Sequence, residues 1–145
     1  MGKLLNARNL LILAAIILVA VIVVFSLNRD NPTNTAIQFM TALTTRNAEL
    51  ATRLTNVGDV DEAELRKAWD FTFKEAAPNY QWRWSYSRTQ DIDKDNAVVV
   101  FDVEKDLGSG LVYPERLEIP VRRTENGWKV EHRSIPRGFY PGLPR

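Results

Sequence analysis

Between Leu10 and Leu27 the chain runs for 18 residues, LLILAAIILVAVIVVFSL, without one charge. A helix rises 1.5 Å per residue, so this stretch reaches roughly 27 Å, close to the thickness of a bilayer's hydrocarbon core. A cleaved signal peptide would carry a shorter apolar region, about 7–15 residues, followed by a small-x-small cleavage site. Val24-Phe25-Ser26-Leu27-Asn28 offers no such site. The expectation is an uncleaved transmembrane helix over residues 10–27, preceded by a short cytoplasmic N-terminus over residues 1–9.

Charge sets the expected orientation. Lys3 and Arg8 precede the run, whereas Arg29 beyond it is offset at once by Asp30. The positive-inside rule then places the N-terminus in the cytoplasm at the plasma (inner) membrane and the rest of the chain in the periplasmic or extracellular space. No residue of the run is ionisable, which removes the usual marker of a proton or ion pathway. Of the 19 basic residues, 16 lie beyond Arg29, together with all 18 acidic ones. A mildly acidic domain has no electrostatic footprint for nucleic acid. The absence of cysteine excludes disulfides, thiolate nucleophiles and cysteine-based metal sites.

Residues 28–135 read as one α+β domain. Asn31-Pro32 is a helix start, and Ile37, Met40, Leu43, Asn47, Leu50, Ala51 and Leu54 then recur at three- and four-residue steps. Asn56-Val57-Gly58-Asp59 breaks the stripe. Asp61 with Glu64 opens a second helix through Leu65, Ala68, Trp69, Thr72 and Ala76, which Pro78 stops. From Tyr80 the period switches to two. Tyr80, Trp82, Trp84 and Tyr86 alternate with polar residues, so one face of this strand is wholly aromatic. A turn over Asp91–Asn96, a strand over Ala97–Val103, a Gly-containing loop over Lys105–Gly110 and a longer strand over Leu111–Arg123 follow. Thr124-Glu125-Asn126-Gly127 is a hairpin signal that returns the chain through a strand over Trp128–His132. Pro136–Arg145 holds three Pro and two Gly and reads as an extended tail.

Two helices packed on a curved antiparallel sheet of about four strands is the expected layout. The element order over residues 32–135 resembles the nuclear transport factor two-like superfamily, whose cone-shaped domain has this arrangement. The run Arg123-Thr124-Glu125-Asn126-Gly127-Trp128-Lys129-Val130 is similar to the ending of many such domains. Bacterial members with an N-terminal anchor, including the bitopic scaffold subunit of type IV secretion systems, look especially similar, although this chain is shorter than that subunit. Scytalone dehydratase-like members use a histidine pair, and this chain holds one histidine, His132.

The remaining chemistry is sparse. His132 has no serine or cysteine motif beside it, and a structural role is expected, since catalysis needs several converging groups. Asp91, Asp93, Asp95 and Asp102 fall at positions 1, 3, 5 and 12 of a calcium-loop count. However, Asn96 stands where the loop needs glycine, and Asp102 where it needs glutamate. Ketosteroid isomerase-like chemistry would need a carboxylate facing a tyrosine in a dry pocket, for which Asp70, Asp102, Tyr80 and Tyr86 are the available types. The aromatic row, with Trp69, is core filling, a ligand-lined cone interior or an exposed docking surface. In the tail, Arg137, Phe139, Tyr140 and Arg145 are residue types enriched at interfaces, and they are expected to dock on a partner.

No catalytic residue, cofactor or metal site is expected. The reading is a non-catalytic single-pass accessory or scaffold subunit of a larger membrane complex, such as an electron-transfer or secretion assembly. Its partners would be integral membrane subunits and the lipid bilayer. The alternatives are a tethered module holding an apolar small molecule in its cone, and an isomerase- or dehydratase-like enzyme.

Overall fold

The computed structural model describes residues 7–27, 30–106 and 112–145. Expectations for Lys3, Arg29, the loop residues 107–110 and Leu111 lie outside the described residues. The first helix, α1, is Ala7–Leu27, a continuous 21 residues. Its described side chains, those of residues 9–23, are exposed, with Leu11 at 72% and Leu18 at 61%. Among the described residues no helix is long and apolar enough to cross a membrane.

The stripe from Ile37 to Leu54 folds as two helices rather than one, α2 (Pro32–Thr45) and α3 (Ala48–Thr55). The break is at Arg46, which adopts a left-handed conformation with φ 56°, and at Asn47, whose side chain accepts from Leu50 N at 2.9 Å. Asn47 therefore caps the new helix and does not extend the old stripe, as short polar side chains at helix starts do. Asn31 caps α2 in the same way. The next helix, α4 (Glu62–Phe71), starts on Asp61 and runs into a π-helical turn over Thr72–Ala76. Four described helices, not three, thus accompany the sheet.

The sheet is antiparallel, in the order β1 (Trp82–Asp91), β2 (Asn96–Asp106), β3 (Val112–Thr124) and β4 (Gly127–Val130). A register shift between Tyr86 and Arg88 bends β1, and such bulges increase local curvature. Pro114 and Pro120 do not break β3. The carbonyl of Pro120 accepts from Glu131 N at 2.9 Å, so residues of its parity turn their backbone groups away from β2. Neither proline removes a hydrogen bond from the β2–β3 ladder. The last strand is shorter than expected because a 3₁₀ turn begins at His132.

Alternation on β2 defines the two faces. Ala97, Val99, Phe101 and Val103 point inwards and pack under Ala36, Phe39, Met40 and Leu43 of α2. Leu117, Ile119, Val121 and Val130 complete that surface. The outer face carries cross-strand ion pairs, Arg83–Glu104 and Asp102–Arg116 among them. Those pairs are exposed and contribute little to stability, but they make the outer face polar.

Candidate functional site

One end of the cone gathers nearly every aromatic residue singled out in the sequence. Trp69 of α4 is fully buried, edge-on to Phe39 at 5.9 Å and stacked on Phe73 at 5.6 Å. Its indole N–H donates to Thr55 Oγ1 at 3.1 Å, which satisfies the one polar group it takes into the core. Along β1 the aromatic row changes character. Trp82 is 9% exposed and Tyr86 is 45% exposed. Trp84 lies between them, edge-on to Phe101 at 5.5 Å with its N–H donating to Thr44 Oγ1 at 2.9 Å. The row is therefore core at one end and surface at the other, and the register of β1 shifts just beyond its exposed end, between Tyr86 and Arg88.

The tail corrects an expectation. Pro136–Arg145 does not extend from a domain ending at residue 135; it turns back and closes the mouth of the cone. Phe139 and Tyr140 are buried in the chain's own core, so they are not anchors for a partner. Trp82 meets the Phe139 ring edge-on at 5.3 Å, and Tyr80 meets the Tyr140 ring at 5.0 Å. Three hydroxyls fasten the segment to the domain. Tyr80 donates to Phe139 O at 2.6 Å, Tyr140 to Leu43 O at 3.4 Å, and Thr72 to Gly142 O. Arg145 donates to Arg133 O and to Ile135 O, at 2.5 and 3.1 Å, so its guanidinium fastens the segment onto the 3₁₀ turn. Arg137 remains exposed. The physical reason is apolar area: the three helices leave Phe73 and Trp82 uncovered, and two aromatic rings on a proline-stiffened segment cover them.

Lys105 and Glu115, which no sequence signal singles out, form the rim. Lys105 Nζ pairs with Glu115 at 2.5 Å, donates to Gly138 O at 3.1 Å and lies 5.5 Å from the Phe139 ring centre. Burial pushes the Tyr80 hydroxyl up to about 12, with Glu115 and Tyr140 adding to the shift. Tyr80 is therefore a hydrogen-bond donor at any ordinary pH, and its proton is committed to Phe139 O.

The carboxylate–tyrosine pairs that isomerase chemistry would need are not brought together. Asp70 pairs with Lys74 at 3.3 Å on the surface, and Asp102 pairs with Arg116 at 3.4 Å on the outer face. Tyr86 is paired with Thr89. The calcium-loop count fails in the same way, since Asp102 lies within β2, while Asp93 accepts from Asp95 N and Asn96 Nδ2 within the turn. Among the described residues no group of acidic or histidine side chains could hold a metal ion.

His132 is 4% exposed, and its Nε2 has no hydrogen-bond partner among the described residues. Its ring lies 5.7 Å from that of Trp69. Burial, with Arg133 and Arg145 nearby, pushes the imidazole down to about 4, so it is neutral at physiological pH. A cavity of about 190 Å³ lies beside it, lined in part by Thr55, Asp59, Arg122 and Arg133. The Asp59–Arg133 ion pair crosses its rim.

A helix layer under a curved four-stranded antiparallel sheet, closed at one end, is the cystatin-like cone found in nuclear transport factor two-like proteins. No family model matches the sequence, and no curated protein matches it. Similar solved structures share the fold. A domain of unknown function with a cystatin-like fold from Nostoc punctiforme is 11% identical, with a TM-score of 0.53, over 68% of this chain and 70% of that one. A protein described as a calcium/calmodulin-dependent protein kinase type II association domain, from Thiobacillus denitrificans, is 15% identical with a TM-score of 0.51, over 69% and 89%. A ketosteroid isomerase-like protein from Erwinia carotovora atroseptica gives 15% and 0.47, over 67% and 85%. At such identities the likeness is one of fold.

Proposed function

We propose that the chain is a membrane-tethered, non-catalytic accessory or scaffold protein. In this reading α1 spans the plasma (inner) membrane and the cone domain stands on its outer side. The observation that carries the non-catalytic part is the occupied mouth of the cone. Phe139 and Tyr140 are buried at that mouth, and the polar groups around them are satisfied by the chain itself. This also weighs against an apolar small molecule in the cone. The tether is supported by the helical backbone from Ala7 to Leu27, by the uncharged run within it and by the exposure of its described apolar side chains. A helix apolar all round finds its stable surroundings in lipid or in other helices.

The partners proposed are integral membrane subunits, reached through α1 and through exposed surfaces of the domain. Purification in mild detergent, with mass spectrometry of co-purifying chains, tests this. Stoichiometric recovery of one or more integral membrane proteins is expected. A chain recovered alone, at all detergent concentrations that preserve known complexes of the same membrane, would sink the accessory-subunit reading.

A further inference from the structure

The tether constrains which end of the domain meets the bilayer. Helix α1 ends at Leu27, and Asp30 is already fixed in the domain. The Asp30 carboxylate accepts from Trp128 N at 3.3 Å and lies so close to Gly127 that a Cβ there would approach Asp30 Oδ2 to 2.7 Å. Asn31 then caps α2 by accepting from Asn34 N at 2.8 Å, and Thr33 is bonded to Thr89 of β1 at 2.7 Å. From Leu27 to Asp30 there are three residue steps, which span at most about 10 Å even when fully extended.

The two hairpin turns lie at this same end. Arg123 N donates to Asp95 O at 2.7 Å, which ties the β3–β4 turn to the β1–β2 turn. The mouth closed by residues 136–145 is at the opposite end of the strands. Asn96 and Asp106 mark the two ends of β2, about 33 Å apart at the usual strand rise.

We propose that the end carrying the Asp91–Asn96 and Thr124–Gly127 turns faces the lipid headgroup layer, with the closed mouth directed away from it. This rests on the reading of α1 as a membrane span. The partner is the headgroup layer of the bilayer itself. Ile92, 66% exposed at the tip of the β1–β2 turn, is the large apolar side chain presented there. The acids around it, Asp91, Asp93, Asp95 and Glu125, outnumber Lys94 and Arg123. The short tether, and not attraction to anionic lipid, therefore imposes the orientation. Partner proteins accordingly meet the distal mouth and the flanks of the cone.

The cysteine-free sequence makes the test direct. Ile92→Cys and Glu125→Cys at the proximal end, and Gln81→Cys and Arg137→Cys at the distal end, each place one thiol at an exposed position. The full chain, labelled with a fluorophore and reconstituted in phosphatidylcholine vesicles, is exposed to a lipid carrying a nitroxide on its headgroup. Strong quenching at positions 92 and 125, little at 81 and 137, and no change on adding anionic lipid are expected. Equal quenching at all four positions, or the reverse order, would overturn the orientation. A Gly/Ser segment inserted between Arg29 and Asp30 should abolish the difference. If the difference persists, the tether is not its cause. Flotation of the vesicles after an alkaline carbonate wash is read separately. A chain stripped off by that wash would overturn the membrane span and the orientation together, whereas retained chain with uniform quenching overturns the orientation alone.

Discussion

Gly142 has φ +70°, and a Cβ added there would meet Ala76 Cβ at 2.3 Å. Only glycine can bring the backbone so near the π-helical turn, where its carbonyl accepts from Thr72. Gly142→Ala should cost about 2 kcal/mol, the usual scale of a strained backbone position. Gly138→Ala, where a Cβ meets nothing, should leave stability unchanged. Denaturant unfolding of both variants checks the contrast. His132 makes a second prediction. An unfolded imidazole takes up a proton near pH 6.5, and the folded one only near 4, so the unfolded chain binds more protons between these values. The stability due to neutral His132 is complete above about pH 6.5 and declines as pH falls towards 4, by up to about 3 kcal/mol. His132→Gln, which does not titrate, should show a smaller loss over that window in unfolding measured at each pH. No sequence pattern marked either effect, because both depend on contacts across more than fifty residues of chain.

At the scale of elements, the aromatic face of β1 was legible from its alternation, but which rings are core was not. Burial along the row follows where the tail lands, on Trp82 and Tyr80 and not on Tyr86. Trp82→Ala should cost about 3–5 kcal/mol as a core truncation, whereas Tyr86→Ala should cost less than about 1 kcal/mol. Thermal unfolding of the two variants, read against the parent domain, separates them. The tail itself follows the same logic. Phe139→Ala should destabilise by about 3–5 kcal/mol, and deleting residues 136–145 should lower the melting temperature strongly or prevent folding. A truncated domain with its melting temperature intact would show that the closed mouth contributes nothing. The break at Arg46–Asn47 belongs to this scale too. Asn47 occupies a stripe position by count, and its second use, as a helix cap, is visible only once α3 turns.

For the whole molecule, the proposed topology makes the domain accessible from outside the cell membrane. Protease added to cells with a permeabilised outer layer should remove residues 30–145 and leave a fragment containing α1. Protection until the inner membrane is broken would reverse the orientation derived from Lys3 and Arg8. The sequence by itself determined the elements whose cause is local. The uncharged run, the capping residues Asn31 and Asp61, the switch of period at Tyr80 and the Asn-Gly hairpin are all encoded within a few residues. Hydrophobic patterning then restricts the class to helices on an antiparallel sheet. Only the tertiary structure decided the fate of the tail. Phe139 and Tyr140 have the composition of an interface segment, and nothing near them in sequence says whose surface they cover. The answer lies in uncovered apolar area on Phe73 and Trp82, more than fifty residues away, and in hydroxyls from Tyr80 and Thr72 placed to donate to the segment's backbone carbonyls. An apolar side chain has no address of its own; it is buried wherever the completed fold leaves the largest exposed apolar surface within reach.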